Sequence, residues 1–338
     1  MSADVVDDQG LWFRVESGGG ASGVRRAAEH LGQQLQLGEQ RVGDLAIVTA
    51  ELASNLLKHA REGTLLLRPV RRTGRAGVEL VAIDAGPGMA DLTLSSADGH
   101  STTGTLGIGL GAIVRQASWF DGYSLPGRGT VLAVQVWDGP APKGVDWAGA
   151  LARPITGEQV SGDGYAVRVA DGRRQVLVCD GLGHGPLAGA ATGAAVAAFR
   201  NAPAGPPGTV VQHLHRSMSH TRGAALAVAE LDPAAGLVRY AGLGNIAATI
   251  AAVGERRRGL VSLPGIAGHQ RPPVREYEYP FPPGAMLVMH SDGVVDRWDL
   301  ADYPGLAGRS PLVAAATLLR DAGTRRDDAC VLVARAAA

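Results

Sequence analysis

The chain has 338 residues, enough for two domains of ordinary size, each with its own hydrophobic core. Lysine plus arginine and aspartate plus glutamate number 32 each, and this zero net charge argues against nucleic acid or an anionic membrane as a partner. The acidic N-terminus and the lack of an apolar run long enough to span a bilayer predict a cytoplasmic protein with no membrane partner.

Hydrophobic spacing in the first half predicts a domain of mixed strands and helices. The strongest signal is an amphipathic helix over 41–60, with apolar residues on one face. The predicted elements in chain order are a strand over 11–17, helices over 21–37 and 41–60, strands over 64–70 and 78–84, a glycine-rich loop opening a helix that reaches Phe120, and a strand over 129–137.

Proline and glycine punctuate residues 138–150, which we interpret as a linker between domains 10–137 and 151–338. The second half contains many apolar strand patterns and few crossover helices, and this favours an antiparallel α+β sandwich. Its predicted elements are strands over 163–170, 174–180, 223–232, 236–244, 245–253, 285–293 and 329–336, with helices over 187–199, 209–221 and 311–322. Cys179 and Cys330 lie in apolar strand patterns and are predicted to be buried and chemically silent.

Three motifs in the first half have nucleotide-binding chemistry when taken together. Glu51 and Asn55 lie four residues apart on one face of a helix, where a carboxylate and a carboxamide can serve as a base and a Mg²⁺ ligand. Asp84 follows a strand and precedes the glycines of "DAGPGM", so it can accept a hydrogen bond from an exocyclic amine. The loop "STTGTLGIGLG" then opens a helix, and helix starts of this kind bind phosphates. Each motif alone is most often an ordinary surface pair or turn, but their order and spacing favour a nucleotide site.

Residues 10–137 resemble the ATP-binding domain of the GHKL family, which has the Bergerat fold. The likeness rests on "ELASN", "DAGPGM" and "GTLGIGLG", which match the N-box and the first and second Gly boxes. It implies Asn55 as a Mg²⁺ ligand, Asp84 for adenine recognition, and a glycine-rich cradle for the triphosphate. The residues assigned to ATP are Asn55, Asp84, Gly86, Gly88, Gly107, Ile108, Gly109, Leu110 and Gly111.

Within that family, the chain is most similar to small serine kinases of the RsbT type. In such kinases the N-box glutamate, here Glu51, is the candidate base for a target serine hydroxyl. Lys58 and His59 are interpreted as the end of the helix. No phosphoacceptor helix precedes the domain, which disfavours a histidine kinase.

Aspartates recur at strand ends and tight turns in the second half, in "SGDGY", "CDGLGHG", "HSDGVVD" and "RRDDACV". A single Asp-Gly is a turn signal in most proteins. Carboxylates that converge at one edge of a sandwich repel one another unless cations hold them, and hard oxygen ligands favour Mg²⁺ or Mn²⁺ over zinc.

Residues 151–338 resemble the PPM-type serine/threonine phosphatases of the SpoIIE branch, to which the RsbX-like enzymes belong. The resemblance implies Asp180 as the bridging ligand of two metals and Gly181 as a carbonyl ligand, and it ranks Asp327 above Asp328. The implied metal set is Asp163, Asp180, Gly181, Asp292, Asp327 and Asp328, with Asp180 also the catalytic centre. His184 is interpreted as shaping its loop, with proton transfer as the lesser alternative.

Histidines 213, 215 and 220 could be read as a zinc cluster, but helix positions two apart point to different sides, so we disfavour this reading. The predicted fold class is α+β: an N-terminal Bergerat α/β sandwich followed by a PPM-type αββα sandwich.

The leading functional hypothesis is a bifunctional regulator that uses ATP, Mg²⁺ and Mn²⁺. It phosphorylates and dephosphorylates STAS-domain anti-sigma antagonist proteins, in a pathway that could include a sigma factor or a stressosome-like complex. An alternative retains the phosphatase alone, with the first domain a non-catalytic ATP sensor or sigma-factor binder. A scaffold with both sites inactive is disfavoured because none of the metal-position aspartates is missing.

Overall fold

The structure is a computed structural model that describes residues 10–90, 92, 108–143, 146–269 and 274–336. The chain divides into two compact units, with the division between residues 144 and 145. In the described part of the chain, no helix combines the length and apolar character needed to cross a membrane.

The N-terminal unit is one five-stranded antiparallel sheet with helices packed on one face. The strands follow the order β1-β2-β3-β5-β4. The strands are β1 (Leu11–Arg14), β2 (Thr64–Arg72), β3 (Arg75–Asp84), β4 (Trp119–Leu125) and β5 (Gly129–Trp137), and the helices are α1 (Gly18–Gln34), α2 (Glu39–His59) and α3 (Ile108–Gln116).

The core of this unit explains why α2 forms where the apolar spacing predicted a helix. Leu45, Val48 and Leu52 are fully buried on the inner side of α2, against Leu80 of β3 and Val134 of β5. Their packing fixes the rotation of the helix, so the opposite side is left for polar residues.

The C-terminal unit is a four-layer αββα sandwich. Its first sheet has the order β13-β10-β9-β8-β7 and its second the order β12-β11-β14-β15-β6. The strands are β6 (Ala148–Arg153), β7 (Asp163–Ala170), β8 (Arg173–Gly181), β9 (Ala224–Asp232), β10 (Leu237–Leu243), β11 (Ala247–Ala251), β12 (Arg258–Gly259), β13 (Tyr277–Pro280), β14 (Met286–His290) and β15 (Ala329–Arg335).

Two helices, α4 (Pro186–Asn201) and α5 (Pro207–Ser217), cover the first sheet, and α6 (Pro311–Ala322) covers the second. Two short 3-10 turns precede α6 at Leu300–Asp302 and Leu306–Gly308. The core between the sheets is apolar and built from both, as with Val178 of the first sheet and Leu332 of the second. Antiparallel sheets stacked in this way bring strand ends and loops together at the sandwich edges.

Several elements differ from the prediction. Residues 119–125 form β4 rather than the end of a helix and a turn, because their backbone pairs with β5. Strand β6 begins at Ala148, inside the segment interpreted as linker, because it pairs with β15. The helix predicted over 209–221 ends at Ser217, and Gly223 follows with a φ of +83°.

Gly129 is expected to be the most sensitive glycine of the N-terminal sheet. Its φ is +92°, and a Cβ there would overlap the carbonyl oxygen of Asp84 in β3. Gly127 is the matched control, because its φ is +78° but no atom lies within 4 Å of the added carbon. The left-handed conformation costs a side chain about 1–2 kcal/mol, so Gly127→Ala should lose that amount and Gly129→Ala clearly more. Amide hydrogen exchange in β3 and β5 measures the difference, and equal protection in the two variants would contradict it.

Candidate functional site

Helix α2 presents Glu51 and Asn55 together toward the start of α3. Both side chains are half-buried. A Cβ placed on Gly109 would lie 3.0 Å from Oε2 of Glu51 and 3.6 Å from Oδ1 of Asn55. The absence of a side chain at Gly109 therefore lets the oxygen atoms of Glu51 and Asn55 lie close to the start of α3. Oxygen ligands beside a helix start fit a Mg²⁺-phosphate group.

Asp84 ends β3 beside the C-terminal end of α2. The backbone N–H of Gly86 donates to Oδ1 of Asp84 at 2.7 Å, and the N–H of Ala85 donates to the carbonyl of Arg61 at 3.0 Å. A Cβ on Gly86 would lie 2.5 Å from the carbonyl oxygen of His59. The turn after Asp84 is therefore held against the C-terminal end of α2. Asn55 lies in the same helix, one helical turn before His59.

Gly88 has a φ of +67°, and a Cβ there would overlap the carbonyl oxygen of Leu125 in β4. The first glycine motif, "DAGPGM", therefore packs against the β4–β5 hairpin. The hairpin also brings two hydroxyl groups beside Asp84, those of Ser124 and Thr130, which no motif in the sequence marks. Their oxygens lie 3.0 Å apart, and Thr130 is the register partner of Asp84. Strand hydroxyls are common, so no sequence signal distinguishes them.

The second glycine motif is only partly described. Gly107 lies outside the described residues, and Ile108 is the first residue of α3. Leu110 and Gly111 are buried within the helix, while Gly109 faces α2.

Asp84→Asn is expected to weaken ATP binding because a neutral amide replaces the carboxylate proposed to accept the adenine amine. Hydrogen bonds to charged groups contribute about 1.5–3 kcal/mol, which corresponds to a loss of roughly 10- to 100-fold in affinity. Calorimetric titration with ATP measures it, and manganese affinity of the C-terminal unit serves as the internal control. Unchanged nucleotide affinity would remove Asp84 from the adenine pocket.

In the C-terminal unit, strand pairing places Asp163 opposite Asp180. Asp163 begins β7 and Asp180 lies at the end of β8, and the two are register partners across the hairpin. Asp163 is buried, and Oγ of Ser291 donates to its Oδ2 at 2.5 Å. Asp180 is half-buried and followed by Gly181, whose N–H donates to the carbonyl of Gly162 at 3.0 Å.

The remaining aspartates lie at the ends of the second sheet. Asp292 follows β14 and is exposed, and its Oδ2 accepts from Nδ2 of Asn245 at 2.8 Å. Asp327 is exposed, whereas Asp328 is buried. Backbone N–H groups of Ile155 and Gly162 donate to the two carboxylate oxygens of Asp328 at 2.7 and 2.8 Å. Asp328 therefore joins two loops of the unit, while Asp327 keeps its carboxylate at the surface.

The carboxylates are close enough to repel one another. Burial, followed by the charges of Asp292 and Asp327, raises the pKa of Asp180 to about 7. Burial and the charge of Asp180 raise the pKa of Asp163 well above its usual value. Among the residues that the structure describes, no three His, Cys, Asp or Glu side chains already form a set that could hold a metal ion. The donor chemistry, several hard oxygens with uncompensated charge, fits a divalent cation.

His184 and His215, two of the histidines singled out in the sequence, have polar contacts of their own. His184 is exposed, with Nδ1 3.5 Å from Oε1 of Glu158. His213 and His215 lie on α5 and His220 lies beyond its end, and Nδ1 of His215 accepts from the backbone N–H of Gly268 at 3.1 Å. The thiols of Cys179 and Cys330 are buried, and burial raises both pKa values.

Comparison with known proteins assigns a family to each half. The histidine kinase-like ATPase domain matches residues 19–136, and stage II sporulation protein E (SpoIIE) matches residues 170–337. The chain is 36% identical over 115 residues to the serine/threonine-protein kinase RsbT of Bacillus subtilis (strain 168), covering 33% of this chain and 86% of RsbT.

Two solved structures have related folds. One comes from work on the bacterial stressosome as a modular system adapted to control secondary messenger signalling. Its sequence is 30% identical, and the alignment covers 56% of this chain and 98% of the other chain, with a TM-score of 0.50. The other is the PP2C phosphatase domain with a regulatory fragment of SpoIIE from Bacillus subtilis, at 16% identity, 80% and 81% coverage and a TM-score of 0.45.

The two family matches and the match to RsbT confirm the predicted fold class and the predicted fusion. The chain therefore belongs to the RsbT family of serine/threonine kinases through its N-terminal ATPase-type domain, to which a SpoIIE-type PPM protein phosphatase domain is joined.

Proposed function

We propose that this chain is a bifunctional regulator of partner switching. Its N-terminal domain phosphorylates a serine of a STAS-domain anti-sigma antagonist, and its C-terminal domain removes that phosphate. The observation that carries the proposal is that one chain brings together two groups of residues: Glu51 and Asn55 against Gly109, and Asp163 opposite Asp180. The 36% identity to a protein named as a serine/threonine kinase supports the first activity.

In the kinase domain, each residue has a separate task. Asp84 would accept a hydrogen bond from the adenine amine, and Asn55 would hold Mg²⁺ beside the helix start at Gly109. Bound ATP supplies the phosphoryl group. Glu51, on the same face as Asn55, orients the serine hydroxyl and accepts its proton.

In the phosphatase domain, we assign the metal ligands to Asp163, Asp180, Asp292 and Asp327, with the carbonyl of Gly181. These residues would hold two Mg²⁺ or Mn²⁺ ions, which would supply positive charge to activate a water and to neutralise the phosphoryl oxygens. Ser291 orients Asp163 by donating to its carboxylate. The buried carboxylate of Asp328 fixes the loop that contains Gly162, next to Asp163.

The partners we propose are STAS-domain proteins, in a complex that can include a sigma factor or stressosome-like assembly. The relationship to RsbT and to a protein studied in the bacterial stressosome supports partners of this kind. We propose that the chain acts in the cytoplasm, where ATP is available.

Phosphorylation and dephosphorylation assays on one STAS protein test this function. The purified chain with ATP and Mg²⁺ should place phosphate on serine, and the chain with Mn²⁺ and no ATP should remove it from the phosphorylated protein. If dephosphorylation occurs and phosphorylation never does, the N-terminal domain is an ATP sensor or a sigma-factor binder. If neither occurs with any STAS protein encoded nearby, the proposed substrate class is wrong.

A further inference from the structure

Arg222 lies beside the loop that follows Asp180. It is exposed, in the connection between α5 and β9. The backbone N–H of Leu182 donates to the carbonyl of Gly223 at 3.1 Å, and Nη1 of Arg222 donates to the carbonyl of Leu182 at 3.3 Å. The guanidinium group is thereby held against the segment immediately after Asp180 and Gly181. Two residues of chain span at most about 7 Å, so Leu182 cannot be far from Asp180.

The backbone around Arg222 favours this placement. Gly223 has a φ of +83°, and a Cβ there would lie 2.6 Å from side-chain atoms of Ile266 and His269. Gly183 has a φ of +87°, and a Cβ there would lie 3.2 Å from Nη1 of Arg222. Both glycines therefore permit the close approach of the arginine connection to the Asp180 loop.

Among the described residues, no carboxylate pairs with the charge of Arg222. Three other arginines of the same unit each have a guanidinium nitrogen 2.9 Å from a carboxylate oxygen. They are Arg173, Arg239 and Arg257. Across the residues that the structure describes, Arg222 forms no ion pair, and its hydrogen bond to Leu182 uses Nη1 only. Its remaining N–H groups are available to an anion.

We propose that Arg222 binds the phosphoryl group of the phosphatase substrate, an inference that rests on the proposed phosphatase function. A guanidinium group donates two parallel hydrogen bonds to phosphate oxygens and keeps its charge at every physiological pH. The carboxylates of Asp163 and Asp180 would repel a phosphate, and a positive group held on the loop that follows Asp180 would favour its approach. Arg222 then contributes to substrate affinity, while the carboxylates hold the metal.

The test compares Arg222→Ala and Arg222→Lys in the full chain, with Arg256→Ala as the control. Arg256 is also exposed and, within the described chain, forms no ion pair, but it lies in the β11–β12 turn. With a phosphoserine peptide and Mn²⁺, Arg222→Ala should raise KM and the inhibition constant of inorganic phosphate roughly 10- to 100-fold. The lysine variant should be intermediate, and the Mn²⁺ concentration for half-maximal activity should not change in either variant.

An unchanged KM and an unchanged phosphate inhibition constant in Arg222→Ala, with the wild type active, would overturn the assignment of Arg222 alone. A wild type that hydrolyses no phosphoserine would instead contradict the proposed function. Calorimetric binding of the same peptide to wild type and Arg222→Ala still decides the inference in that case, because equal affinities refute it. Matching thermal unfolding midpoints of the variants show that folding is retained.

Discussion

Asp180→Asn is expected to abolish Mn²⁺-dependent phosphatase activity while ATP binding stays intact. Asp180 is the carboxylate that strand pairing places opposite Asp163 and that experiences the charges of Asp292 and Asp327. A neutral carboxamide at that position is a poorer ligand for two cations. Metal stabilisation of the phosphoryl oxygens contributes several kcal/mol, so turnover should fall on the order of 10³-fold.

The electrostatics of the cluster predict a second property of this variant. Because the metal-free carboxylates repel one another, removing one charge should leave the thermal unfolding midpoint in EDTA equal to or above that of wild type. A loss of activity with a lower midpoint would indicate damaged folding rather than a lost ligand.

The matched control is Asp171→Asn, at the other end of the β7–β8 hairpin. Asp171 is exposed with a φ of +49°, a conformation that asparagine also adopts. Its replacement should leave phosphatase turnover unchanged. Wild-type turnover in Asp180→Asn would contradict the two-metal assignment.

Glu51→Gln is expected to retain ATP and Mg²⁺ but to lower phosphotransfer by roughly 10²–10⁴-fold, the usual contribution of a positioned base. Glutamine keeps the size of the side chain facing Gly109 but cannot accept the serine proton. Asn55→Ala should instead lose Mg²⁺ and productive nucleotide together, because it removes the oxygen that faces the helix start. The two variants therefore separate the base from the metal ligand on one helix face.

The decisive measurement is γ-phosphate transfer to a purified STAS protein in the Asp180→Asn background, where the product is not removed. Glu39→Gln is the control, since Glu39 is exposed in the first turn of the same helix. If the Asp180→Asn chain itself yields no phosphoserine on any candidate partner, the kinase assignment fails. Equal transfer by Glu51→Gln and its parent would show that another group accepts the proton.

The sequence by itself determined the elements whose signal is local. The apolar spacing of α2 follows from a helical period of 3.6 residues, and that period alone places Glu51 and Asn55 on one face. The apolar runs before Asp84 and Asp180 predicted strands, and those strands form as β3 and β8. Local periodicity is sufficient wherever the residues that decide a structure are neighbours in the chain.

Only the tertiary structure decided the contacts between distant segments. Strands β4 and β6 have weak patterns of their own and form because β5 and β15 pair with them. The roles of Asp327 and Asp328 differ because the backbone of Ile155 and Gly162, more than 160 residues earlier, donates to Asp328. The position of Arg222 beside the Asp180 loop likewise depends on the pairing of β8 with β9. Hydrogen-bond partners of this kind are selected by register and packing across the whole fold, which residue spacing along the chain does not encode.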